Sequence, residues 1–299
     1  MTQARENGYK VGQKNAWLGI LSNILLFALK LFAGVVGRSQ AMVADAFHTA
    51  SDALTSMAVL GGFKIAEKPA DEHHPLGHGR AESIAAKIVS LVLIIVGVRI
   101  AYGSARVLLY GEMTEPGSIA LLAAIFSIIV KEFTYRRVMA AGIKINSTSL
   151  KADAYHHRSD VLSSIAALVG IIGAMLGKTF LDPLAGVIVG GFIIKMGAEN
   201  FHAAYDELMD AAPPAEFKKK IEVTITGVDG VKEVKKIMVR KTGIEFFIEA
   251  IIGVDGKKTV EEGHIVTVKI KRDIFKAIPN VKDVIVHVEP VCVSAGKEK

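Results

Sequence analysis

Cysteine is nearly absent from this chain. Cys292 is the only one in 299 residues, so neither an internal disulfide nor a cysteine-rich metal centre can form. Aromatic residues make up only 7%, and none interleave with basic residues into a patch that could follow a nucleic-acid strand, although the net charge is +6. Positive charge alone is non-specific, so no nucleic-acid partner is expected. No cleavable signal peptide is expected either, because the first apolar run begins only near residue 17 and continues to membrane-spanning length. The sequence His-Glu-x-x-His does not occur, which removes the commonest helical signature of a zinc hydrolase.

What is abundant is apolar surface. The chain is 51% hydrophobic with a mean hydropathy of +0.39, too apolar for an ordinary water-soluble domain. A membrane span takes about 20 mostly apolar residues. Six segments qualify, at 17–36, 41–63, 84–109, 118–138, 152–176 and 184–201. The links 37–40 and 177–183 are short and predict tight hairpins, whereas 64–82 and 136–151 are longer and carry basic residues, as does the start of the chain with Arg5, Lys10 and Lys14. By the basic bias of cytoplasmic loops, both termini and both long links face the cytoplasm. Lys30, Lys87, Arg99, Lys131 and Glu132 fall inside the spans; their length lets them snorkel, pair or line a wet cavity, and they are read as such. Asp and His reach less far and are functional by default at that depth. After Ala211-Ala-Pro-Pro214 the composition turns polar. Helix 217–226, strands 234–240 and 244–254, helix 259–278 and strand 284–288 predict a small open sandwich of αββαβ order. The division falls into 1–211 in the membrane and 212–299 in water.

One pattern occurs twice. Asp45-Ala-Phe-His48-Thr-Ala-Ser51-Asp52-Ala-Leu54-Thr-Ser56 and Asp153-Ala-Tyr-His156-His-Arg-Ser159-Asp160-Val-Leu162-Ser-Ser164 agree at seven of twelve positions. Each holds His-x-x-x-Asp, which on a helix puts imidazole and carboxylate on one face, a turn apart. His48, Asp52, His156 and Asp160 together would supply two nitrogens and two oxygens, a tetrahedral set for a borderline divalent ion such as zinc, and two carboxylates would neutralise its charge. Polar residues also hold membrane helices together by hydrogen bonds, but that explains one such pair better than two in register. Asp45 and Asp153 precede each histidine by three residues and are candidates for a supporting or entrance role.

The loop Pro69-Ala-Asp71-Glu72-His73-His74-Pro75-Leu-Gly77-His78-Gly79-Arg80-Ala-Glu82 concentrates zinc-compatible side chains. In the tail, Glu249, His264, His287 and Glu289 form a sparser candidate set, with His287 and Glu289 on one face of a strand.

These residues resemble the cation diffusion facilitator family over nearly the whole chain, from about residue 17 to 291, most specifically at Asp153-Ala-Tyr-His-His-Arg-Ser-Asp160 and Gly77-His-Gly-Arg-Ala-Glu82. The resemblance implies an all-α six-helix transmembrane bundle followed by a small α/β ferredoxin-like (αββαβ) cytoplasmic domain. It implies a homodimeric exporter in the lipid bilayer, in a prokaryotic plasma membrane, that exchanges a divalent cation for protons. It further implies a transport site of His48, Asp52, His156 and Asp160, and a loop site of Asp71, His74 and His78 with His73 as an extra ligand. An ion pair of Arg80 with Asp210 is implied as well. Lys235 and Ile251 stand where members with a well-filled tail site place histidines, so the tail resembles the sparser magnetosome-associated members. Two His and two Asp resemble the zinc branch, and nitrogen-rich tetrahedral sites favour zinc over manganese; iron, cobalt, cadmium and manganese remain open as cargo. Two rival readings are a membrane-embedded metalloenzyme, for which a closed four-ligand set leaves no water position, and a metal-sensing scaffold without transport, against which the intact ligand set argues. No enzymatic activity is expected.

Overall fold

The computed structural model describes the backbone of residues 3–66, 68–111, 113–144, 148–242 and 245–291. Side chains are described within these ranges except at 3–18, 56, 58–60, 63, 64, 66, 142, 144, 148–153, 155, 156 and 159. Cys292 therefore lies outside the described residues, as do the side chains of Asp153 and His156.

Six long helices come first: α1 (Gln3–Val36), α2 (Gln40–Ala66), α3 (Ala81–Tyr110), α4 (Ser118–Lys144), α5 (Thr148–Met175) and α6 (Leu181–Leu208). Among the described residues, Gly19–Val36, Ala81–Tyr110, Ser118–Ala141 and Leu181–Leu208 are long and apolar enough to cross a membrane, and Asp160–Met175 forms a shorter apolar stretch. This is an integral membrane protein. Its lipid-compatible surface shows in outward-facing Leu21, Leu25, Phe32, Ile88, Ile95, Leu122, Ile129 and Val169, each more than half exposed.

The bundle packs on small residues. Its largest buried cluster is Ala33, Ala41, Met42, Ala120, Ala123, Ala124, Ala167, Ile171 and Ala185. Where the surroundings are as apolar as the side chains, burying a large aliphatic group gains little, and close backbone approach holds helices together instead. A Cβ on Gly190 of α6 would meet the Ala101 backbone nitrogen of α3 at 2.9 Å, which places those two helices nearly in backbone contact.

The turns are capped in ways that position later features. Ser39 caps α2, its Oγ accepting from Met42 N–H. Asp182, in the first turn of α6, accepts from both Ser39 Oγ and Gln40 N–H, so a buried carboxylate sits at the positive N-terminus of α2. α6 ends on Asp210 in the left-handed region (φ 56°), with Asp210 N–H donating to Glu207 O and Ala211 N–H to Asp206 O. That is a Schellman-type cap with an aspartate where glycine is usual.

The tail comprises α7 (Ala215–Thr226), β1 (Glu233–Thr242), β2 (Glu245–Asp255), α8 (Val260–Ala277) and β3 (Val281–Val291). The sheet order is β1-β2-β3, with β1 and β2 antiparallel and β2 and β3 parallel across the α8 crossover. A Thr259–Glu262 capping box starts α8. Here the core is built of large aliphatics, Ile221, Ile225, Ile248, Ile252, Ile270 and Ile274 among them, as expected where water expulsion drives packing. The strands run longer than their apolar alternation: β3 continues to Val291 because β2 offers a paired edge over its full length.

The chain divides into two compact units, residues 1–60 with 86–201 and residues 61–85 with 202–299. The histidine-rich loop thus belongs with the tail.

Candidate metal site

His48 and Asp52 lie on α2 and Asp160 on α5. Both helices read as apolar runs broken by polar residues, and His48, Asp52 and Asp160 turn inward from them. All three side chains are buried, and each offers one ligand atom within 4.8 Å of the others. His48 Nε2 stands 3.9 Å from Asp160 Oδ1, close to the roughly 3.3 Å that separates two ligands on a tetrahedral zinc. The buried Nδ1 of His48 makes no hydrogen bond among the described residues, an expensive state for a polar atom unless an ion or proton engages it.

Two lysines, for which the sequence leaves snorkelling, pairing or a wet cavity open, are buried and paired. Lys131 is the middle residue of α4, roughly 20 Å from either helix end at 1.5 Å per residue, beyond any lysine's reach. Its ammonium lies 3.3 Å from Asp160 Oδ2 and 3.5 Å from Asp52 Oδ2, and its side chain is 2% exposed. Lys30 of α1 is equally buried. It pairs with Asp45 Oδ2 at 2.7 Å and donates to Thr49 Oγ1 and Ser164 Oγ. Ser164 in turn donates to Asp45 Oδ1 at 3.1 Å. Asp45 is wholly buried and ties α1, α2 and α5 together beside the site. Of the other in-span charges, Lys87 lies over the Phe201 ring and Glu132 pairs with Arg136.

His157 was also missed. It is buried, with Nδ1 4.0 Å from Asp160 Oδ2, and Gly19 makes room for it: a Cβ there would meet His157 Nε2 at 3.2 Å. The available signal was its spacing of three residues before Asp160, a same-face distance on a helix.

In the loop, Asp71, His74 and His78 come together with one ligand atom each within 4.8 Å. Asp71 Oδ1 accepts from the backbone N–H groups of His73 and His74. Those backbone hydrogen bonds, His74's first, hold the Asp71 carboxyl below its ordinary range. The His74 and His78 rings meet in a tilted contact, centroids 4.4 Å apart. His73 contributes only its backbone and does not join the cluster. Arg80 Nη2 donates to Asp210 Oδ1 at 2.6 Å: the cap that ends α6 also aims its carboxylate at the loop.

The tail candidates do not converge within one chain. Glu249 shares the register of Ile285, and Ile251 that of His287, so Glu249, His287 and Glu289 lie on the sheet face opposite Ile248, Ala250 and Ile252. His264 stands on α8, which covers that inner face, in a pocket with Val286, Val288 and Pro290. Glu289 is engaged by Lys235 at 2.7 Å, which holds its carboxyl below the usual range, and Arg240 approaches Glu249 at 3.9 Å. Among the described residues no three metal-ligating side chains gather here.

Comparison with known proteins gives a consistent picture. Residues 16–209 match the cation efflux transmembrane domain and residues 213–291 the cation efflux protein cytoplasmic domain. The manganese efflux system protein MneP of Bacillus subtilis is 33% identical over 94% of this chain and 97% of its own length. The magnetosome protein MamM of Magnetospirillum gryphiswaldense is 32% identical over 95% and 91%. Among solved structures, the metal-bound C-terminal domain of the CzcD transporter from Thermotoga maritima is 33% identical, covering 25% of this chain and 87% of that one with a TM-score of 0.25.

Proposed function

The chain belongs to the cation diffusion facilitator family of cation efflux transporters, and from that premise we propose that it exports a divalent cation, zinc before others, in exchange for protons. The observation that carries this reading is the meeting of His48, Asp52 and Asp160 at mid-helix depth. His156, four residues before Asp160, completes the set as a second nitrogen ligand. The cargo loads from the cytoplasm when these groups are deprotonated, and protons displace it on the far side. Histidine suits the exchange because its ordinary pKa of about 6.5 lets proton and metal compete near neutrality. All six long helices cross the membrane of a prokaryotic cell, with both termini cytoplasmic. The ferredoxin-like tail pairs two copies into a homodimer, and its sparse ligands Glu249, His264, His287 and Glu289 serve across the two chains. The protein is a carrier and not an enzyme.

Two His with two Asp favour zinc on ligand softness. MneP's name specifies manganese, so manganese, iron, cobalt and cadmium belong in the same test. In proteoliposomes, zinc uptake should exceed manganese uptake, require an acidic interior and stop when an ionophore equalises pH. Flux indifferent to the ionophore would replace exchange with facilitated diffusion, and a faster manganese flux would reassign the cargo.

Asp71, His74 and His78 fit a loop-bound metal: two nitrogens and a carboxylate held charged by its own backbone hydrogen bonds. His74→Ala/His78→Ala should lower the zinc content of purified full-length protein by one ion per chain while flux persists at a reduced rate. Unchanged zinc content would remove the loop from the metal inventory.

A further inference from the structure

From the position of Lys131, we infer that its ammonium is a tethered cation that holds the cargo position in the empty carrier and must withdraw for metal to load. The inference rests on the transport-site reading above. Asp52 and Asp160 come from different helices, and each turns its Oδ2 to the same ammonium, at 3.5 and 3.3 Å. Asp160 Oδ1 faces His48 on the other side. α4 packs against α1 and α5 and brings no carboxylate or imidazole to this cluster; what it delivers is a charge. Without a metal, two carboxylates at this depth would repel each other and lie far from solvating water. Lys131 supplies one of the two positive charges that the cargo would otherwise give.

The two cations compete for the same oxygens. A divalent ion bonds a carboxylate oxygen at about 2 Å, which would leave it within a few ångströms of Lys131 Nζ, where like charges repel strongly in a dry interior. Lysine suits this role because it is a compact charge on a flexible four-carbon stem, able to swing aside as a rigid guanidinium fork cannot. Snorkelling offers no resting place, since the residue is at the centre of α4. The ammonium therefore lowers the affinity of the site, eases release, and offsets half of the carboxylate charge of the empty carrier on its return. Its sequence signal was position alone: a lysine equidistant from both ends of an apolar helix.

The test uses full-length protein, zinc calorimetry in detergent and zinc flux in proteoliposomes. The binding component that Asp160→Asn removes defines the site. In Lys131→Met that component should tighten by about tenfold or more, because a repelling charge has gone. KM for flux should fall and kcat should fall with it, as release becomes slow. Lys131→Arg, which keeps the charge, should not tighten binding. A merely structural lysine would predict weaker binding in Lys131→Met and no split between KM and kcat. Should the Met protein fail to stay monodisperse, Lys131→Gln carries the same prediction, since it keeps hydrogen-bonding capacity and loses only charge. Zinc affinity unchanged or weakened in the uncharged variant overturns the proposal. Zinc binding that survives Asp160→Asn would instead overturn the site assignment beneath it, so the two failures are distinct.

Discussion

Asp160→Ala should reduce metal flux to the level of protein-free liposomes while the protein remains folded and inserted. Asp160 supplies a ligand oxygen, half the carboxylate charge that neutralises the cargo, and one of the two contacts to Lys131. Its loss leaves Lys131 paired one to one with Asp52, so no buried charge is stranded there and the bundle keeps its packing. His48→Asp should be milder. It keeps a ligand at the position but exchanges nitrogen for oxygen, which shifts preference toward harder ions; the ratio of manganese to zinc flux should rise. Wild-type zinc flux in the Asp160→Ala protein would end the assignment, and a wild-type manganese-to-zinc ratio in His48→Asp would show that ligand softness does not set selectivity here.

The candidate ligand positions were legible because their chemistry is periodic. A His-x-x-x-Asp repeated on two apolar segments can face only inward, and the structure brings His48, Asp52 and Asp160 within one ligand sphere. The loop triad was legible in the same way, by density of ligands over a short stretch, though not the exclusion of His73, which depends on a turn made by backbone hydrogen bonds to Asp71. The counter-ions were harder to read. Lys30 and Lys131 have side chains that usually escape to an interface, and only their depth in the finished helices removes that option. The tail was harder to read for another reason. Alternation along β3 put His287 and Glu289 on one face correctly, but which face α8 would cover is a tertiary fact, and it separates His264 from the other three. That Lys235 would hold Glu289 also depends on β1 and β3 flanking a common central strand.

Lys30→Met should destabilise the bundle more than truncating any of its alanine-lined contacts. Lys30 forms an ion pair with Asp45 at 2.7 Å, and both side chains are fully buried. Removing one partner of such a pair strands the other charge without water, at a cost of about 3–5 kcal/mol in comparable buried pairs. Thr49 and Ser164 would also lose their shared donor, loosening the tie between α1, α2 and α5 that flanks the metal site. Thermal unfolding of the detergent-solubilised protein should therefore show a clear drop in Tm for Lys30→Met. The double variant Lys30→Met/Asp45→Leu should recover most of it, because an apolar pair of similar volume avoids the desolvation cost altogether. Flux separates stability from function. If the pair is only a fastening, the double variant should transport zinc at near wild-type rates, since neither residue contributes a ligand atom to the cluster of His48, Asp52 and Asp160. A double variant that is stable yet inactive would mean that the Lys30–Asp45 charge pair takes part in the transport cycle itself.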